Sequence, residues 1–164
     1  MAVENKYVGT LTAAGKLDRA AVTQGDRVIW VSNTVEIAAA DDDGSVYRFF
    51  KSVPSTMIPV EITIMSDGIT GATDYDLGLY KVGVAGAVVV KDVLMNGQTM
   101  ASALTRATGH QLGLSAVNID AVKSTLATLS AQTAPDLSYD IALTANTVGT
   151  AAGTISVTAV FVQA

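Results

Sequence analysis

No cysteine occurs anywhere in the 164 residues, histidine and tryptophan occur once each, and proline three times. The missing thiols exclude disulfides, thiolate chemistry and the commonest structural zinc sites, so stability has to come from packing and assembly. A single histidine, His110 in "TGHQLG", leaves any imidazole-dependent triad or His-rich metal site hanging on one residue. A surface or interface position is the expectation for it. No apolar run approaches the roughly 20 residues a membrane helix needs, so no membrane partner is expected. The opening "MAVENKYV" has neither the basic start nor the apolar core of a signal peptide, which makes synthesis and retention in a cytoplasm the expectation.

Charge is scarce as well. Ten Lys and Arg against fifteen Asp and Glu give a formal net charge of −5. The basic residues are scattered, whereas phosphate binding needs them clustered, so no nucleic-acid partner is expected. From Val93 to the C-terminus only Arg106, Asp120, Lys123, Asp136 and Asp140 are charged, against about a quarter of residues in an ordinary globular chain. Either this half packs against other chains or it presents an exposed face rich in Ala, Thr and Ser. Composition leaves both open.

The chain is 49% hydrophobic but only 5% aromatic, its apolar share coming mostly from 25 Ala, 21 Val and 12 Leu beside 19 Thr. Such residues favour small, flat, closely packed surfaces, and 164 residues fit one domain with a real core. Periodicity is mostly that of strands. "RVIWVSNTVEIA" is a continuous β-branched run with an expected bend near Ser32 and Asn33, and "SVYRFFKS" follows. "IPVEITIMS" alternates, placing Val60, Ile62 and Ile64 on one face and Glu61, Thr63 and Met65 on the other. "YDLGLYKV", the turn "GVAG" and "AVVV" predict a hairpin. "YDIALTA", "NTVGTAAG" and "TISVTAVFVQ" predict a second, with Ile155, Val157, Ala159 and Phe161 as its alternating apolar set.

Two octapeptides stand out. "TDYDLGLY" (Thr73 to Tyr80) is nearly rewritten 64 positions later as "LSYDIALT" (Leu137 to Thr144). In both, a tyrosine and two aliphatics face one way (Tyr75, Leu77, Leu79; Tyr139, Ile141, Leu143), and Asp76 or Asp140 faces the other beside Gly78 or Ala142. This reads as a strand-start device rather than paired catalysis: an aromatic plug, a carboxylate for free turn amides, and a small residue where something packs closely. Two such hairpins suit a sandwich of two antiparallel sheets.

Helix is the minority. "VNIDAVKSTLATLSA" carries Ile119, Val122, Leu126 and Leu129 on one stripe, with Asn118 as N-cap and Asp120 in the first turn, predicting a helix over Asn118 to Ala131. Gly97 to Gly109 holds either a helical turn around Met100 and Leu104 or a loop. The organisation expected is one domain over 1–164, with an extended N-terminal arm over 1–26 and a helical or loop insertion over 96–134 between the hairpins.

Candidate sites are few. Asp41, Asp42 and Asp43 before Gly44 lack the alternate-position spacing of a calcium hand and read as a solvated turn. Asp67, Asp74 and Asp76 in "SDGITGATDYD" could gather round a weakly held divalent cation; turn chemistry is the more economical reading. "GLSAV" (Gly113 to Val117) lacks the second glycine of a nucleophile elbow. No phosphate-binding glycine loop is present. Trp30, inside a strand, is expected in the core or as an interface anchor. No catalytic, cofactor-binding or metal residue is assigned.

The runs "VEIAAADDDGSVYRFF", "MSDGITGATDYDLGLYKVG" and "YDIALTANTVGTAAGTISV" resemble a group of small structural proteins of tailed bacteriophages that act as capsid decoration, or cement, proteins. The resemblance covers about Val35 to Val157, least well between the hairpins, and carries no catalytic residue. It implies a jelly-roll-like β-sandwich on the outside of a head shell. It also implies a homo-oligomer, dimer or trimer, bridging subunits of the major capsid protein. The competing function is a carbohydrate-binding or tail-associated receptor-binding jelly roll, for which exposed aromatics are scarce. A cupin-type enzyme ranks third, because its metal site needs several histidines.

Overall fold

The structure, a computed structural model, describes residues 5–7, 28–107 and 124–163. The strands are β1 (Asn5–Tyr7), β2 (Val28–Ile37), β3 (Ser45–Pro54), β4 (Met57–Ser66), β5 (Asp74–Tyr80), β6 (Val88–Gln98), β7 (Ser138–Thr147) and β8 (Gly153–Gln163). One short helix, α1 (Leu126–Leu129), precedes β7. They form two sheets, ordered β1-β3-β7-β5-β6 and β2-β8-β4. Every described pairing is antiparallel except that of β1, which lies parallel against Val46 to Arg48 of β3.

The pairings nest: β5 with β6 innermost, β3 with β7 around them, β2 with β8 outermost. That is the connectivity of a jelly roll, two Greek keys folded into facing sheets. The strand that should pair with the outer edge of β4 is reduced, among the described residues, to one antiparallel bridge, Ser66 with Leu104. The mainly-β sandwich is therefore the observed fold, with one short helix between β6 and β7 and, among the described residues, one of the eight jelly-roll strands represented by a single bridge.

Between the sheets lies a single large core. Tyr47, Phe49, Phe50, Leu77, Leu79, Ile141 and Leu143 from one sheet meet Ile37, Ile62, Ile64, Ile155, Val157, Ala159 and Phe161 from the other. The ring of Phe161 stands edge-on to Phe50, 6.1 Å between centroids. Met100 and Leu126, both fully buried, plug the same core from the segment expected as an insertion.

Several local expectations need correction. The first hairpin forms, but the second does not: β7 and β8 lie in different sheets, so the "NTVGTAAG" stretch crosses the sandwich instead of turning back. Gly149, at φ +96, makes that crossing, with its Cα so close to Thr70 and Ala72 that a Cβ would sit 2.6 Å from the Thr70 carbonyl oxygen. β7 is buried on both faces along most of its length, which only a central strand satisfies. The expected bend at Ser32 and Asn33 is absent, since β2 pairs with β8 in unbroken register over ten residues. Val60 leaves the face of Ile62 and Ile64, because a bulge between Pro59 and Glu61 makes it the extra residue and turns it outward. Thr125 caps α1 with extended backbone (ψ 157), and Ala131 sits at φ 54, so no helix runs continuously to Ala131. Asn118, Ile119, Asp120 and Val122 lie outside the described residues, and Gly97 to Ala107 holds no helix.

Candidate functional site

The repeated octapeptides turn out to be neighbours. β5 and β7 pair antiparallel, with Gly78 opposite Ala142, Leu77 opposite Leu143 and Tyr80 opposite Asp140. Each part of the predicted device is present. Tyr75 and Tyr139 are fully buried plugs; the Tyr75 hydroxyl donates to the Val148 carbonyl and the Tyr139 hydroxyl to Gln132 Oε1. Asp76 accepts the Gly97 amide at 2.8 Å, and Asp140 accepts those of Ser52 (2.8 Å) and Gly83 (3.2 Å). Gly78 lies beneath the β6 backbone, where a Cβ would come within 2.1 Å of the Val90 carbonyl oxygen.

Sequence reasoning missed the residue at the centre of this arrangement. Arg48, on the face of β3 turned away from the main core, is fully buried together with its partner Asp140, 3.4 Å away. Its guanidinium also donates to three carbonyls of the β5–β6 turn: Gly86 (2.7 Å), Val84 (3.1 Å) and Lys81 (3.3 Å). The group lies 5.0 Å over the ring of Tyr80, whose hydroxyl bonds Thr144. With its donors directed at fixed acceptors, this charge has no open position for a ligand; it fastens the β5–β6 turn across the outer face of the larger sheet. The available signal was one arginine among the bulky residues of "VYRFF".

The acidic candidates behave as turn chemistry. The turn expected to be solvated is so only in part: Asp41 is buried, where it accepts the Tyr47 hydroxyl at 2.7 Å, while the exposed Asp43 accepts the Val148 amide at 2.9 Å. Asp67 accepts the Thr154 amide, away from the other two acids of its loop. Asp74 and Asp76 do come together, but Asn146 donates to both and Lys91 lies 3.3 Å from Asp76, so an amide and an ammonium stand where a cation would. Among the described residues no group of three acidic or imidazole side chains is arranged to hold a metal ion. Burial pushes the hydroxyls of Tyr47, Tyr75 and Tyr80 up, reinforced at Tyr47 and Tyr75 by the negative charge of Asp41. His110 and the Gly113 to Val117 stretch lie outside the described residues.

Trp30 is not in the core. It is 65% exposed on the outer face of β2, opposite Val160. Val28 is exposed beside it on β2 and Val60 across the sheet on β4, and Val160, Val162 and Ile58 are half-covered, so one end of the smaller sheet presents an apolar surface. The other end is a ladder of hydroxyls, with Ser32 bonded to Thr158, Thr34 to Ser156, and Thr154 to Glu36. A second apolar group, Val82, Val84 and Val88, lies at the β5–β6 turn, and Leu137 is 92% exposed at the start of β7.

No protein-family model matches the chain, and no curated protein does. Two solved structures contain chains of similar fold. A chain in the capsid of Ralstonia phage GP4 superposes with a TM-score of 0.57 at 15% identity, over 84% of each chain. A chain in the capsid asymmetric unit of cyanophage Pam1 superposes with a TM-score of 0.51 at 16% identity, over 88% of this chain and 92% of that one. At such identities the likeness is one of fold: this jelly roll is an architecture that two phage capsids contain.

Proposed function

We propose that the chain is a structural virion protein of a bacteriophage, a decoration or cement protein that binds the outer head shell and bridges subunits of the major capsid protein. The observation that carries this reading is the shared sandwich, matched over more than four-fifths of the length of chains in two phage capsids. The closed character of the polar clusters supports it: the carboxylates at Asp76 and Asp140 are engaged by the chain's own amides and cations, as in a scaffold rather than a catalyst. On this reading the protein has no catalysis of its own and acts without nucleic acid or membrane. It is made in the host cytoplasm and joins the head from outside as a homo-oligomer.

A shell under internal pressure gains strength from an added protein only if that protein touches two or more capsid subunits, since one contact per subunit adds mass without a cross-link. Linking several modest patches on one oligomer raises their effective concentration, so weak contacts hold tightly together. The N-terminal segment 1–26, of which Asn5–Tyr7 lies against β3, supplies part of this contact, together with the charge-poor half. The test is co-sedimentation with heads assembled without the protein. Full-length chain is expected to bind saturably and to protect heads against heat, and a chain starting at Leu17 to fold yet bind and protect less. Retention on a sugar array with none on heads would instead favour the carbohydrate-binding alternative, for which exposed Trp30 beside a row of hydroxyls is the one supporting feature.

A further inference from the structure

Natural sheets protect their edges, because a row of unpaired amides and carbonyls recruits other strands. Three of the four edges here show such devices. β1 is only three residues long. β6 is broken by register shifts and carries Lys91 and Asp92. β4 has Pro59, a bulge at Val60 and the Leu104 segment bonded to its end. β2 has none of them: "VIWVSNTVEI" runs ten residues without proline, glycine, bulge or basic residue, and among the described residues β8 is its only strand partner. It also carries the most exposed aromatic side chain described, Trp30.

We propose that the edge of β2 that no described strand covers is the interface with a second copy of this chain, the two β2 strands pairing antiparallel across a two-fold axis at Ser32 to join two three-stranded sheets into one of six. Residues opposite each other in an antiparallel pair share a face, so the axis has to pass through a residue and not between two. Near the middle of β2 that residue is Ser32 or Asn33. Asn33 points inward and bonds the Phe49 carbonyl, whereas Ser32 is small, exposed and outward. With the axis at Ser32, Trp30 faces Thr34 of the other copy, and Val28 faces Glu36. The strand's one charge then lies at the two outer ends of the ribbon. A parallel in-register pairing would set Glu36 against Glu36, which is unfavourable. Two-fold symmetry also lets one unprotected edge satisfy itself with no second surface.

This inference rests on the homo-oligomer part of the proposed function and not on head binding, so it is tested on the free full-length protein. Sedimentation equilibrium should show a dimer. Ser32→Lys and Ser32→Glu each place like charges face to face on the axis and should weaken association by roughly tenfold or more. An equimolar mixture of the two should restore a heterodimer, which a misfolded variant could not do. A wild-type chain that stays monomeric up to its solubility limit, a trimer, or variants that associate as wild type would overturn the proposal. Dimers that fail to bind heads would leave it standing and sink the decoration reading, while head binding by a strict monomer would do the reverse.

Discussion

At the scale of single residues, Arg48 is the most exacting position. A buried guanidinium is tolerated because Asp140, three carbonyls and the Tyr80 ring surround it. Removing one partner of such a pair costs about 3–5 kcal/mol, since the other charge is left buried. Arg48→Ala is therefore expected to lower unfolding free energy in urea by that amount; a loss under about 1 kcal/mol, the level of an exposed pair, would show that the cluster is hydrated. The tyrosines give a second residue-level expectation. Burial first, and then Asp41 for two of them, raises Tyr47, Tyr75 and Tyr80 above their ordinary value of 10.0. An acid raised in the folded state keeps its proton while the unfolded chain loses it, so this stability is complete below about pH 10 and drains as pH rises further. Tyr47 and Tyr75 each contribute about 1.4 kcal/mol of loss per pH unit there, and Tyr80 adds a loss of the same sign. Flat stability between pH 9 and 12 would contradict the buried hydroxyls. The plugs themselves were legible from alternation at Tyr75 and Tyr139, whereas Arg48 was not, because a lone arginine in a strand ordinarily marks the solvent face.

At the scale of elements, the β5–β7 pair explains why the chain repeats itself. Two central strands of one sheet, buried on both faces, need the same solution to the same problem, but only Gly78 lies under a crossing backbone. Gly78→Ala should thus cost at least the 1–3 kcal/mol typical of overpacking. Ala142→Gly, at the directly paired position, should cost only about 1 kcal/mol in lost burial and backbone entropy. Equal effects would refute the asymmetry. Strand identities were legible because alternation is a local property. Their partners were not: "NTVGTAAG" offers the same glycines to a hairpin and to a crossing between sheets, and the choice is made by the burial of β7 from both sides. The same burial accounts for much of the charge-poor C-terminal half, a third explanation beside hidden interface and Ala/Thr/Ser-rich surface. Trp30 illustrates the opposite limit, since one exposed residue in a β-branched run leaves no periodic signal of its exposure.

For the molecule as a whole, the described strands close into one sandwich, and the proposed role places its work at the surface. With Asn146 bridging Asp74 and Asp76 and Lys91 paired with Asp76, EDTA should leave the melting temperature unchanged, and a fall of many degrees would reopen that loop as a cation site. The β-sandwich was legible from strand alternation, whereas its jelly-roll form was an implication of the resemblance of three runs, which is also the source of the proposed bacteriophage role. The edge strand that could join copies became visible only once β2 had a place at the rim of a sheet. Electron cryomicroscopy of heads reconstituted with the full-length protein is the decisive measurement for a decorating role. A decoration protein adds density on the outer surface, fitted by this sandwich and touching two or more capsid subunits at every site. Density that contacts a single subunit, or heads that remain bare at saturating protein, would contradict it.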